Sequence, residues 1–291
     1  MTYLPLPGWY RDPWGSPALR WWTGLNWAGY LAPLPPPPIP PLDVTVETLK
    51  REDPQTWGWR PVAIPLAAYA LLIIGGQVLS RTIAPGGGTG QVVFDVLANL
   101  AIQGCLVLAV YVAGRDIAER NGGWGRTFGF RGIRGADWLP ALAGFGISLA
   151  ARIGVGVIIV LIFGPDVARE ARNIPVSDNP SVVGAIVLLV LAVFFAPVVE
   201  ELVFRGLFLR TFMRRMRFWP AAILSTVIFA LGHTYEVGTV EGATVLALSV
   251  GMVGIVNCEL NRRTDRLGPG MLAHGMANLL AIVIILAGVA S

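Results

Sequence analysis

From residue 61 to the C-terminus, long apolar runs follow one another with short polar breaks between them, and few folds accept such a pattern. A helix needs about 20 predominantly apolar residues to cross a hydrocarbon core about 30 Å thick. Inside lipid every backbone N–H and C=O must be bonded within the protein, so only helices and closed barrels span it. These runs are continuous rather than alternating, which favours helices. Composition agrees, since the chain is 54% hydrophobic and 14% charged, against roughly 25% charged in an average soluble domain. The pattern predicts an all-α polytopic bundle of about seven transmembrane helices near residues 61–80, 92–114, 138–163, 182–204, 219–234, 242–261 and 269–289.

Basic residues give that reading an orientation, because Lys and Arg concentrate on cytoplasmic segments. With the N-terminus inside, the cytoplasmic segments hold 18 of the 22 basic residues, and only Arg81, Arg169 and Arg172 fall outside, with Arg152 within the third span. The expectation is a cytoplasmic N-terminus, an external C-terminus and a multi-pass location in a bacterial plasma membrane. A net charge of +4 does not indicate nucleic acid here, since the charge is dispersed among loops and not gathered on one domain.

Three regions are expected. Residues 1–32 hold five of the ten tryptophans, with the turn formers Gly and Pro, and read as a small Trp-rich soluble module. It lacks a basic segment followed by an apolar one, so it is no signal peptide. Residues 33–60 open with PLPPPPIPP, a stiff polyproline spacer, and form a Pro-rich linker and juxtamembrane segment. Residues 61–291 form the transmembrane domain. The two cysteines, Cys105 and Cys258, lie in or beside apolar segments without metal-type spacing and read as packing residues.

Ionisable groups inside such spans are functional hypotheses by default. Asp95, Asn99 and Gln103 make an i, i+4, i+8 stripe that suits hydrogen bonding between helices, and Asp95 is a candidate partner for Arg152, which is also suited to hold a substrate carboxylate. Glu200 and Glu201 follow Pro197. Adjacent helical residues point about 100° apart, so the two carboxylates should not face the same partner. Glu201 and Arg205 are i, i+4 and can pair, which leaves Glu200 free as a general base. The chain has two histidines, His233 and His274, both in apolar context, and Asn278 follows His274 by four residues.

At these residues the sequence resembles the CAAX prenyl protease and bacteriocin-processing family of intramembrane proteases, also called the abortive-infection family. Its Glu-Glu-x-x-x-Arg motif is matched by Glu200, Glu201 and Arg205, its Phe-x-x-x-His by Phe229 and His233, and its His-x-x-x-Asn by His274 and Asn278. The likeness covers roughly residues 180–290. Residues 1–32 resemble the short Trp-rich domain of unknown function at the N-termini of many actinobacterial membrane proteins, which implies a bacterial origin and a tethering or recruiting module.

The resemblance implies endopeptidase hydrolysis of a membrane-associated peptide or protein, and two mechanisms fit the residue types. In one, Glu200, His233 and His274 ligate a divalent metal, zinc first, and Glu201 is the base. In the other, no metal takes part: Glu200 and His233 polarise a water, while His274 and Asn278 donate to the oxyanion. Similarity to glutamate-dependent enzymes favours the second. The expected partners are a membrane-anchored substrate, the bilayer and a binding partner of the Trp-rich module, with no nucleic acid. Two rival readings are a non-catalytic scaffold or immunity-type protein, disfavoured because it needs no free Glu200, and a proton-coupled transporter, disfavoured because no internal repeat relates the halves. One conflict remains in the helix positions: Glu200 falls near the inner end of the fourth span and His233 near the outer end of the fifth.

Overall fold

The computed structural model describes residues 5–34, 57–83, 88–164, 186–187, 189–234, 237 and 239–287, with side chains described for all of these except 73, 76–83, 88–95, 99, 285 and 286. The chain divides into two compact units, Met1–Thr48 and Leu49–Ser291. Residues 35–56 of the expected linker, together with Arg169 and Arg172, lie outside the described residues.

The first unit is a three-stranded antiparallel sheet of β1 (Gly8–Arg11), β2 (Ala18–Trp22) and β3 (Trp27–Pro33), in the order β1-β2-β3. Gly15 and Gly24 take φ of 83° and 96° between the strands, a conformation open to glycine at no steric cost. A sheet of about thirty residues has little core, and rings supply it: Trp22 and Trp27 lie 5.1 Å apart, Trp9 and Trp21 5.5 Å. Asp12, buried at the end of β1, accepts a hydrogen bond from Arg20 Nε at 2.6 Å and from the Ser16 amide at 3.2 Å. The Ser16 hydroxyl and the Arg20 guanidinium hold its carboxyl well below the usual range, at about 2.

The second unit is helical. Its described elements are α1 (Arg60–Ile83), α2 (Gly88–Arg120), the short α3 (Trp124–Phe128), α4 (Trp138–Phe163), α5 (191–213), α6 (Phe218–Leu231), α7 (Val240–Thr264) and α8 (Gly268–Leu286). Seven long helices among the described residues stand where seven spans are expected. Three stretches are long and apolar enough to cross a membrane outright, Val96–Arg120, Gly135–Phe163 and Val240–Thr264, with shorter apolar helices beside them. Their outward residues are large and apolar: Leu139, Leu161, Ile162 and Phe163 of α4 are all more than 60% exposed. In water such a face would carry a large hydrophobic penalty; in lipid it carries none.

Helix α2 runs longer than expected, Gly88–Arg120 against 92–114, and two further departures in bounds bear on the site. The fifth ends at Leu231 instead of 234; its 14 residues rise about 21 Å, well short of a bilayer core. The fourth continues past 204 to Met213, because Arg205 does not end it: the guanidinium is wholly buried and paired within the helix.

Helix α5 is the centre of the unit, packed against α1, α2, α6, α7 and α8. It is not a uniform α-helix. Leu191–Phe195 is π-helical, Ala196–Glu201 is α-helical, Leu202–Leu209 is π-helical again and Arg210–Met213 returns to α. Pro197 explains part of this. The π register bonds the Ala196 amide to Leu191 O, so Ala192 O would next await the amide of residue 197, which proline lacks. Asn278 Nδ2 of α8 donates to that carbonyl instead, at 2.8 Å. Gly275 allows the approach, since a Cβ there would sit 2.7 Å from Val193 O.

Candidate active site

The α-helical turn between the two π-helical stretches carries Glu200 and Glu201, and α8 lies across it. Glu201 is fully buried and surrounded by partners: Arg205 Nη1 at 3.1 Å, Asn257 Nδ2 at 2.9 Å and His274 Nδ1 at 3.2 Å. Arg205, equally buried, also stacks on Phe229 with its guanidinium carbon 4.5 Å from the ring centroid. Buried ions need such partners, because an isolated charge in a low-dielectric interior is strongly destabilising. Close packing around the pair depends on two small residues: a Cβ on Gly270 would lie 3.0 Å from Glu201 Oε2, and one on Gly254 would lie 3.2 Å from Arg205 Nη2.

Glu200 is different. Its side chain is 17% exposed, and Oε2 is buried without a hydrogen-bond partner among the described residues. That oxygen stands 3.9 Å from His233 Nε2 and 3.6 Å from His274 Nε2. Both histidines are fixed from behind. His233 Nδ1 lies 2.8 Å from Phe229 O, and since a carbonyl only accepts, Nδ1 donates. His274 Nδ1 donates to the Glu201 carboxylate. In their neutral forms both rings therefore direct an Nε2 lone pair toward Glu200 Oε2.

Three acceptors face one another at separations too long for direct hydrogen bonds. A water placed among them can donate to two of the three at once, and the third then takes part through a proton of its own on Nε2.

The depth conflict is thereby resolved. Because α6 is short, His233 falls in the turn after its end, where its Nε2 comes within 3.9 Å of Glu200 Oε2. Tyr69 of α1 holds that turn by donating to Gly232 O at 2.8 Å. Phe229, one turn back, meets His233, His274 and Phe204 edge-on at 4.6, 5.7 and 5.0 Å.

Several expectations need correction. Glu200 and Glu201 do share a partner: the imidazole of His274 has nitrogens on two edges, so carboxylates about 100° apart on one helix can each take one. Asn278 donates to Ala192 O, so the described hydrogen bond of its amide braces α5 and not the reacting centre. Asp95 and Asn99 fall on side chains outside those described. The sequence reasoning passed over Asn257, Tyr69 and Gly270. For Asn257 a signal exists: a carboxamide in a span of about 25 residues needs a partner as a charge does.

A zinc ion bound by three donors at about 2.0–2.2 Å holds them about 3.4 Å apart. The separations at Glu200 Oε2 are 3.9 and 3.6 Å, and among the described residues no three His, Cys, Asp or Glu side chains are arranged to hold a metal ion. Glu200, His233 and His274 offer the donor types of a catalytic zinc site but stand wider apart than a bound ion would hold them.

Residues 7–40 match a family of proteins of unknown function, DUF2510. Over 223 residues the chain is 28% identical to the "Putative membrane peptidase YdiL" of Bacillus subtilis (strain 168), which covers 76% of this chain and 81% of that protein. No solved structure matches. Residues 182–280, which contain the whole Glu/His cluster, match the family model of type II CAAX prenyl endopeptidase Rce1-like proteins, so this part of the chain is similar to that family.

Proposed function

We propose that the protein is an intramembrane endopeptidase that hydrolyses a peptide bond of a membrane-anchored peptide or protein by a glutamate-dependent, metal-free route. The observation that carries this reading is the convergence of Glu200 Oε2 with the Nε2 atoms of His233 and His274. A water among the three gives one proton to Glu200 as general base while His233 Nε2 accepts a hydrogen bond from the other. Its oxygen attacks the scissile carbonyl carbon. His274, carrying a proton on each nitrogen and backed by Glu201, donates from Nε2 to the oxyanion that forms. Collapse of the tetrahedral intermediate breaks the C–N bond, and the proton held by Glu200 passes to the leaving amine. The second water proton, hydrogen-bonded to His233 Nε2 and still on the acid product, passes to the amine, so the products are a carboxylate and an ammonium, and Glu200 is regenerated.

Glu201, Arg205 and Asn257 are positioning residues in this scheme, since each acts through His274 or its neighbours. Asn278 acts by bracing the π-helical stretch. The distribution of basic residues supports a cytoplasmic N-terminus, an external C-terminus and action on substrates of a bacterial plasma membrane. The test is a proteomic comparison of cells carrying the wild type and Glu200→Gln. Uncleaved membrane-associated polypeptides should accumulate in the variant; peptide profiles that coincide, with the variant present at wild-type level, would favour the non-catalytic scaffold.

A further inference from the structure

The proposed chemistry leaves a half-buried cation of α4 unused. Arg152 lies near the middle of α4, where a guanidinium is costly and needs a counterpart. Its Nε donates to Ser249 Oγ of α7 at 2.9 Å. A hydroxyl satisfies one N–H but supplies no negative charge. Among the described residues no carboxylate pairs with Arg152. With Ser249, Arg152 lines a cavity of about 210 Å³, open on one side, whose other walls are Leu149 and Ile153 of α4 and Leu280 and Ile284 of α8. An apolar cavity of about 150 Å³ suffices to bind benzene. This one accepts a hydrocarbon group of at least that size, with a fork of donors at its wall.

We infer that Arg152 and Ser249 form a binding site for a carboxylate that carries an apolar group, the carboxylate taken by the guanidinium and the apolar group by the wall of α4 and α8. A guanidinium with no carboxylate partner among the described residues and a hydrocarbon-lined space select an anion with an apolar body over a neutral lipid chain or a bare hydrated ion. The same chemistry comes from two sources, a fatty acid of the bilayer or the C-terminal residue of a bound polypeptide. The site does not depend on the peptide-cleaving reading. It shares α8 with His274, and Ala281 at the cavity follows that histidine by two helical turns.

The experiment uses the full-length protein in nanodiscs of neutral lipid and a photoreactive medium-chain fatty acid, with its methyl ester as control. Cross-linked peptides are mapped by mass spectrometry. The acid should label residues 149–153 and 280–284 at least about tenfold more than the ester, the ratio expected of one charge-assisted pair. R152Q should erase the preference, R152K should keep part of it, and S249A should weaken it. Equal labelling by acid and ester in the wild type, which needs no variant to fold, would overturn the site. So would a preference unchanged in R152Q, or one that rises in D95N, since the latter would show Arg152 already held by that carboxylate.

Competition separates the sources. An N-acetylated dipeptide ending in leucine that displaces the probe as the free acid and not as the amide assigns the site to a polypeptide end. Displacement by unlabelled fatty acid alone assigns it to lipid. Displacement of the acid probe by the peptide amide as readily as by the acids would overturn carboxylate recognition. Because the readout is cross-linking, it is independent of any failure to find cleavage.

Discussion

Neutralising Glu201 should unfold more of this protein than neutralising Glu200, although the two residues are adjacent. Glu201→Gln keeps the shape and leaves Arg205 as a cation with no counter-ion, both side chains being wholly buried. Breaking a buried ion pair by removing one partner typically costs about 3–5 kcal/mol. The Phe229 ring, 4.5 Å from the guanidinium, remains, and a desolvated cation–π contact is worth about 2 kcal/mol. A net loss of about 2–4 kcal/mol is therefore expected. Glu201→Gln with Arg205→Met removes both charges, and its stability should return to within about 1 kcal/mol of wild type. Glu200 has no hydrogen-bonded partner on Oε2 among the described residues, so Glu200→Gln should change stability by less than about 1 kcal/mol. The assay is unfolding in mixed micelles followed by tryptophan fluorescence, read as a double-mutant cycle. Additive losses at Glu201 and Arg205, or a Glu201→Gln variant as stable as wild type, would refute the buried-pair reasoning.

Three further outcomes follow from the geometry. Asn278→Ala removes the hydrogen bond to Ala192 O and should cost about 1 kcal/mol of stability with a modest loss of turnover; a drop of about 10²–10³ in kcat at unchanged stability would place its amide on the oxyanion instead. Gly270→Ala puts a methyl 3.0 Å from Glu201 Oε2, so thermal unfolding should show about 1–3 kcal/mol of destabilisation, whereas a neutral effect would mean that the carboxylate can move freely. In the Trp-rich module, Asp12 has its folded pKa lowered from an ordinary 3.8 to about 2. Its contribution to stability is complete above the unfolded value and is lost as pH falls from about 4 toward 2. Hydrogen exchange of the strand amides should lose protection over that window, and Asp12→Asn should remove this step.

The motifs were legible because each sets a spacing that a helix turns into proximity. Glu201 and Arg205 are four apart and pair at 3.1 Å. The approach of His233 to Glu200 was not legible, because it depends on where α6 stops, and a helix of 14 residues in a run of continuous hydrophobicity shows no boundary. Nor was the double engagement of His274, which depends on the angle at which α8 crosses α5. The π-helical stretches have no periodicity of their own, though Pro197 marks where the α-helical ladder must lose a bond. Gly270 and Gly275 state their purpose only once the atoms they admit, Glu201 Oε2 and Val193 O, are placed.

The central claim, that Glu200 activates water without a metal, is tested most directly by cleavage with purified, chelator-washed protein in proteoliposomes, using a polypeptide that accumulates in Glu200→Gln cells. Full activity after chelation, with a loss of about 10²–10⁴ in kcat for a folded Glu200→Gln variant, is the predicted result. Activity abolished by the chelator and restored by zinc, or cleavage that persists at the wild-type rate in Glu200→Gln, would contradict it.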